Sequence, residues 1–271
     1  MNKFFIARIS HLLAVVSISL SAVLMFGCGG DDSPPAAPAV TDPTGYYINT
    51  GDATVNADTL TPLVITDLQG MVTSTQLTMF SANAILAYSG TITVSANSYS
   101  GTVTVYESGV ATQPGVPVRG TITQGSRITG TLGGTGLGNG SFTLDYATAP
   151  GNNAVDNSMV VDNLTWQPVN DLVNVNVGIF SYASPTINIT AASGLGIFNN
   201  CDFLGRFDPI PGTHLYTVSG TMNNCAPSTD SAIKALPYTG LASVRGSDAN
   251  DRFVMVLTNG GYGIADEYYR Q

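Results

Sequence analysis

The chain is short of the residue types from which most active sites are built. After Cys28 it holds one histidine (His214), one lysine (Lys234), two glutamates (Glu107 and Glu267) and one tryptophan (Trp166), and only 10% of the whole sequence is charged. Zinc sites draw on several His or Cys ligands, and the two cysteines that remain after Cys28 are better used as a bridge. A Ser-His-Asp triad would have to be built on His214, which follows Pro211-Gly212-Thr213 and reads as an exposed histidine in a turn. Two carboxylates can serve a glycosidase, with Asp in place of Glu, but nothing in the spacing brings any two together, and solvated surface acids are the better account. Basic residues are scarce as well. Six arginines and one lysine face 18 acids in the chain after residue 27, a formal charge of −11. That excludes the basic footprint that nucleic acid requires.

Long apolar runs are missing too. The longest, residues 12–27 (LLAVVSISLSAVLMFG), has sixteen residues and follows a segment carrying Lys3 and Arg8 without an acid. It fits a signal-peptide core and falls short of the ~20 residues a membrane-spanning helix needs. Leu24-Met25-Phe26-Gly27-Cys28 resembles the bacterial lipobox, although Phe26 is bulkier than the usual Ala or Ser. The alternative is an ordinary cleaved signal or an uncleaved anchor. Cysteine parity favours the lipobox: of Cys28, Cys201 and Cys225, an odd thiol is awkward in an oxidising compartment unless one is otherwise occupied. With Cys28 carrying acyl chains such as palmitate, Cys201 and Cys225 are left to pair. By resemblance to the lipoprotein sorting rule, Gly29 in place of Asp favours the outer membrane. The following GGDDSPPAAPAVTDPTG has no apolar periodicity and reads as an extended, solvated tether.

The body of the chain announces itself by repetition. Tyr88-Ser89-Gly90-Thr91-Ile92-Thr93-Val94 recurs eleven residues on as Tyr99-Ser100-Gly101-Thr102-Val103-Thr104-Val105, with shorter echoes at 119–123, 129–132 and 219–222. Leu86, Tyr88, Ile92 and Val94 fall on one face, Ser89, Thr91 and Thr93 on the other, which is strand alternation. A strand and turn every ten to eleven residues is what an antiparallel meander requires. Gly90, Gly101, Gly120 and Gly130 keep phase with these runs, and Gly205, Gly220 and Gly240 do so further on; interior strand glycines mark bends where a sheet curls. Further strands are expected at 46–49, 63–66, 76–80, 141–146, 175–182, 186–190, 203–207, 215–222, 238–245, 252–259 and 262–266, and one short helix within 228–236. The expected fold is all-β: an antiparallel meander forming two tandem small β-barrels or sandwiches behind a disordered tether, with a single large barrel as the competitor. The organisation reads as a signal peptide (1–27), lipidated Cys28 and tether (28–43), a first β unit (44–150) and a second (151–271), broken near 147–158.

In the second unit, Cys201 precedes one strand and Cys225 follows the next. A hairpin centred between Ile210 and Pro211 would set Cys201 opposite residue 220, so a bridge requires a bulge or chain reversal at Asn223-Asn224. The lipobox, the Pro-rich tether, the stretches 127–132 (RITGTL) and 140–146 (GSFTLDY), and the run from Asn200-Cys201 through Cys225 to Val244 together resemble a loosely defined group of proteobacterial β-rich lipoproteins. That resemblance implies a place and an architecture, and no reaction.

Three further motifs have ordinary explanations. The glycine-rich 130–140 lacks a following helix to bind phosphate and reads as a hairpin tip. Asp248 and Asp251 lack the remaining spacing of a calcium loop. Asn163 and Asn188 begin glycosylation-type triplets that have no default meaning in bacteria, and Trp166 reads as a core plug. The expected function is a non-enzymatic binding or structural module of the cell envelope. It is held to the membrane by lipid, with a protein or glycan partner and no cofactor. The alternatives are a lipocalin-like carrier of a small apolar ligand, with Leu86, Tyr88, Ile92, Val103 and Val105 lining the interior, and a glycan hydrolase.

Overall fold

β-Branched residues alternating with Thr and Ser leave the backbone little choice but extended conformation, and the chain is built accordingly. The computed structural model describes residues 39–50, 53–56, 61–81, 83–147, 166–168, 178–183, 186–191, 201–225, 227, 231–235, 237–245 and 252–270. The first sheet comprises β1 (Gly45–Asn49), β2 (Ala53–Val55), β3 (Leu63–Ile65), β4 (Gln69–Val72), β5 (Gln76–Ser81), β6 (Leu86–Ser95), β7 (Ser98–Glu107), β8 (Val110–Thr123), β9 (Arg127–Gly133) and β10 (Asn139–Tyr146). The second comprises β11 (Trp166–Pro168), β12 (Gly178–Ala183), β13 (Thr186–Ala191), β14 (Asp202–Pro209), β15 (Leu215–Asn223), β16 (Tyr238–Arg245), β17 (Arg252–Thr258) and β18 (Gly263–Arg270). A single helical turn and a half, α1 (Ser231–Ala235), interrupts the second series. Every pairing among the described strands is antiparallel, so the fold is all-β, in two sheets rather than one large barrel.

The first sheet closes on itself. β1 pairs with β4 on one side and β10 on the other, while β2 continues along the same edge of β10 and pairs with β3. Five residues separate Asn49 from Val55 where three separate their partners Leu144 and Gly140, so β1 and β2 are two halves of one barrel position with two extra residues between them. β3 and β4 are likewise two halves of the next. The result is an eight-position up-and-down barrel in which each strand pairs with its neighbour in sequence and the last returns to the first.

Its interior is narrow because glycines face inward. Tyr99, Gly120, Gly130 and Phe142 form one row across β7 to β10. A Cβ at Gly130 would lie 2.3 Å from both the Phe142 ring and the Tyr99 hydroxyl, and one at Gly120 would lie 1.8 Å from the Thr129 carbonyl. The two rings therefore occupy the volume the missing side chains leave, an arrangement in which aromatics cover strand glycines. The Tyr99 hydroxyl donates to the Thr129 carbonyl at 3.1 Å, satisfying its polar end.

The second sheet runs in the order β11-β18-β17-β16-β15-β14-β13-β12. One face (Phe203, Phe207, Tyr216, Val218, Met255, Leu257) packs with Ile233 of α1. The other face presents Leu215, Leu241, Val254 and Val256 to the outer wall of the barrel, where Tyr46, Met71, Phe80, Ala87 and Tyr106 complete a third cluster. Residues 38–271 thus form one unit in which the two sheets share a wall.

Polar groups pin that wall. Tyr46 donates its hydroxyl to Gln69, whose Nε2 donates to Glu267 at 3.3 Å, and Arg252 stands 4.0 Å from the same carboxylate. Backbone bonds add a second joint: Ala111 N–H to Gly261 C=O and Gly263 N–H to Gly109 C=O, both 2.9 Å. Two register shifts in the β7–β8 pairing, with Gly115 at φ +69°, bend this hairpin out of the barrel to reach the β17–β18 turn. One group in the wall is left over. Ser243, flanked by Leu215 and Val254, is fully buried, and among the described residues its hydroxyl has no hydrogen-bond partner.

Two substitutions probe these constraints by urea denaturation. Ser243→Ala removes an unsatisfied buried hydroxyl and is expected to leave stability unchanged or raise it by up to ~1 kcal/mol. Gly130→Val places carbon where two rings already stand and is expected to destabilise by about 1–3 kcal/mol or to prevent folding.

Candidate functional site

Whether this barrel could hold a ligand is decided by its interior. Leu86, Tyr88, Ile92, Val103 and Val105 are 0–5% exposed and belong to one continuous cluster with sixteen other buried side chains. A chamber wide enough for even one water would leave its lining with exposed area, and these side chains have almost none. The interior is core, which removes the carrier reading that required these five residues to line an empty cavity.

Both mouths are covered. Because neighbouring strands run in opposite directions, the β4–β5, β6–β7 and β8–β9 turns share one rim, here the lower, and the β2–β3, β5–β6, β7–β8 and β9–β10 turns share the upper. The chain entering β1 crosses the lower mouth: Thr41 N–H donates to the Ala96 carbonyl at 2.9 Å, and the inward Tyr47 donates its hydroxyl to the carbonyl of buried Pro43 at 2.7 Å. At the upper mouth the glycine-rich connection folds inward as a 3-10 turn, Gly136–Gly138, a hairpin tip as its sequence suggests. Leu137 packs on the barrel core and its carbonyl accepts from Tyr88 at 2.8 Å, while Asn56 N–H donates to Gly136 C=O at 3.0 Å.

Of the residues singled out in the sequence, Cys28 lies outside the described residues, as do Asp248, Asp251 and Asn163. The side chains of Trp166 and Asn188 are likewise outside the description. Cys201 and Cys225 are joined in a disulfide with Cα atoms 3.9 Å apart. The hairpin that brings them together is centred differently from the expected one. Asp202 pairs with Asn223 and Pro209 with Tyr216, so the centre falls between Gly212 and Thr213, and Cys201 meets residue 224 rather than 220. Asp208 and Pro209 belong to strand β14. The reversal is made by Pro211 and Gly212 (φ +77°), with Thr213 N–H donating to Ile210 C=O, the chemistry of a type II turn. Asn224, at φ +49°, swings Cys225 toward Cys201. His214 also departs from expectation: it is 7% exposed, drawn under the turn instead of standing on it.

The acids sit among partners. Asp145 accepts from Arg127 at 2.5 Å and from Thr50, which together hold its carboxyl below the usual carboxylate range. Asp67 accepts from Ser81 and the Asn83 N–H, Asp202 from Asn224, and Asp208 from Arg206. Among the described residues no three His, Cys, Asp or Glu side chains gather as a metal-binding group.

What the upper rim does carry is exposed apolar surface. Leu63 and Val64 on β3, Ile85 in the β5–β6 turn and Val110 at the start of β8 are 39–52% exposed, four of the six large apolar side chains so exposed among the described residues. Among the described strands β3 is an edge and pairs with β2 alone. Ile85 holds φ +49°, a conformation that disfavours a β-branched residue, and its carbonyl accepts from Ser108 N–H of the neighbouring turn. Nothing in the sequence distinguishes these four from core residues, since apolar positions at strand ends look alike whether covered or not.

Burial holds the phenols of Tyr47, Tyr88 and Tyr99 well above the ordinary tyrosine range and pushes Tyr238 up to about 12. Above pH 10 the unfolded chain releases these protons while the folded chain keeps them, so their contribution to stability is complete below pH 10 and is lost as pH climbs through 12. The urea midpoint is therefore expected to hold level to about pH 10 and fall steeply beyond it, with tyrosinate absorbance rising only as the protein unfolds. Full tyrosinate formation near pH 10 with the fold intact would contradict the packed interior.

No protein-family model matches the chain, and no curated protein does. Among solved structures, a Bacteroides fragilis protein described as a proposed outer membrane protein aligns over 84% of this chain and 98% of its own length. The identity is 16% and the TM-score 0.27, a likeness too slight to carry an argument.

Proposed function

We propose that the chain is a lipid-anchored protein of the bacterial envelope that acts through its outer surface, as a binding or structural module without enzymatic activity. The observation that supports it is the packed barrel: with the interior filled and both mouths covered, a partner is met on the outside, and four of the six exposed large apolar side chains among the described residues stand on the upper rim. The anchor is argued from the sequence: a sixteen-residue apolar core, a lipobox-like approach to Cys28 and a cysteine count that pairs only when Cys28 is otherwise occupied. Outer-membrane placement follows from Gly29. The occupant of the rim is a protein of the same compartment, since the rim offers apolar contact and a strand edge and, among the described residues, lacks the exposed aromatic platform that sugars stack upon.

Intact mass of protein purified from membranes tests the anchor. A di- or triacylated chain beginning at Cys28, gaining ~2 Da on reduction as the Cys201–Cys225 bond opens, is expected; an unlipidated chain starting elsewhere contradicts it. Crosslinking in intact cells tests the module. One envelope protein is expected to be captured from the upper rim and lost with Val64→Asp, while no envelope partner, together with no envelope phenotype on deletion, would leave the proposal without support.

A further inference from the structure

The turn between β17 and β18 carries one of the two Asn-Gly pairs in the chain, and it stands where the two sheets are joined by backbone bonds. We infer that Asn259–Gly260 is a self-modification site, at which water converts the asparagine to aspartate and isoaspartate and so alters that joint.

Glycine after asparagine leaves its own nitrogen open to the preceding side chain, because no Cβ crowds the approach. Here the turn also arranges the reacting groups. The Asn259 Oδ1 accepts from the Gly261 N–H at 3.1 Å and from the Tyr262 N–H at 2.7 Å. Both partners are donors, so the side-chain oxygen and not its nitrogen faces them. Two backbone N–H groups at these distances polarise the Cγ carbonyl and lie where negative charge gathers when a nucleophile adds to Cγ. That nucleophile is the next nitrogen along the chain. Gly260 is exposed at φ +90°, no heavy atom stands within 4 Å of the place its Cβ would take, and among the described residues no acceptor engages its N–H.

The second pair supplies the contrast. Asn139–Gly140 lies in β10, where Gly140 is buried and paired with Leu132 on one side and Val55 on the other. A Cβ on Gly140 would stand 2.0 Å from the Thr54 carbonyl, so the neighbouring strand leaves its backbone no room to turn toward the Asn139 side chain.

The step balances with water as the co-reactant. The Gly260 nitrogen passes its proton to hydroxide and bonds to Cγ of Asn259; the Cγ–Nδ2 bond breaks, ammonia leaves, and a five-membered succinimide closes. One water then opens the ring. Attack at Cγ gives aspartate, whose carboxylate keeps the Gly261 and Tyr262 N–H groups as charge-assisted partners. Attack at the main-chain carbonyl gives isoaspartate, in which the chain runs through the former side chain and is one methylene longer. The added length falls inside the turn closed by Asn259 N–H on Tyr262 C=O, and it displaces Gly261 and Gly263, whose bonds to Ala111 and Gly109 tie the second sheet to the barrel hairpin.

The test incubates the folded full chain at mildly alkaline pH, below the range in which the phenols titrate, and follows the peptides bearing Asn259 and Asn139 by mass in heavy-oxygen water. Conversion at Asn259 is expected to be at least ~10-fold faster than at Asn139 in the folded protein. It is also expected to be no slower folded than in urea, whereas Asn139 converts only once the chain unfolds. Label transferred by isoaspartyl methyltransferase is expected on the Asn259 peptide and to be absent from Asn259→Gln. Equal rates at the two pairs in the folded protein, or faster conversion of Asn259 in urea than in the fold, overturn the site, since the turn would then protect the asparagine. The effect on the joint is read separately: the urea midpoint is expected to fall for the isoaspartyl fraction and to be kept or raised in Asn259→Asp. A midpoint unchanged in the isoaspartyl fraction overturns that effect.

Discussion

An eight-stranded barrel has an interior only wide enough for the side chains of its own wall, and here glycine decides how that space is used. Gly120 and Gly130 face inward beside Tyr99 and Phe142, so two rings take the volume of four side chains and the strands draw close. Gly90 and Gly101, one pair of strands away, act on the backbone itself, each so near the neighbouring strand that a Cβ would stand 2.0 Å from a carbonyl oxygen. Tight closure of the wall, a dry core and the buried phenols whose protons are held so firmly all descend from that placement. A barrel with alanine or valine at these positions would have to widen, and a wider barrel would have an interior to offer.

Filling the interior shifts the rest of the structure outward. The wall between β1 and β7 becomes the support on which the second sheet lies, and the residues that serve it (Tyr46, Met71, Phe80, Ala87, Tyr106) alternate with those that fill the barrel. The same strands are thus apolar on both faces, which departs from the inward-apolar, outward-polar pattern of β8 and β9. Met71 and Phe80 each contribute about 1.5–3 kcal/mol by leaving water, so the two sheets hold each other in place. The bent β7–β8 hairpin and the Tyr46–Gln69–Glu267 contacts set the register of that contact, where apolar packing alone would allow it to slide.

How much of this is legible in the sequence follows from where pattern and physics coincide. The repeated Tyr-Ser-Gly-Thr-apolar-Thr-apolar unit is β6 and β7 with the correct face inward, because alternation over ten residues admits one interpretation. Gly-rich 130–140 is a hairpin tip, as its lack of a following helix implies. β2 and β4 are not legible: three and four residues long, they take their conformation from β10, β1 and β5 and have no periodicity of their own to show. Sequence alone misplaces the β14–β15 hairpin by four residues in register because Asp208-Pro209 has turn chemistry, yet Pro211-Gly212 has more of it and supplies the positive φ. His214 looks exposed for the same reason. What covers a turn is tertiary, and a single sequence does not contain it. The pairing of Cys201 with Cys225 is legible by parity alone, independent of how the hairpin between them is centred.

The surface left to a partner is defined by the same subtraction. The interior belongs to the core, the wall from β1 to β7 to the second sheet, and the lower mouth to the strap that leads toward Cys28. The outward faces of β8 and β9 carry Arg119, Thr121, Thr123, Thr129 and Thr131, solvated groups with hydrogen-bonding capacity and little apolar area. At the upper rim the pattern reverses: Leu63, Val64, Ile85 and Val110 are exposed beside a strand edge, and Ile85 holds a backbone conformation that glycine would adopt more cheaply. A β-branched side chain at such a position is held there against the local preference of the backbone, by the Ser108 N–H that donates to its carbonyl and ties the two neighbouring turns together. The apolar area that the fold leaves uncovered at this end is therefore set by how the turns are joined rather than by the core beneath them.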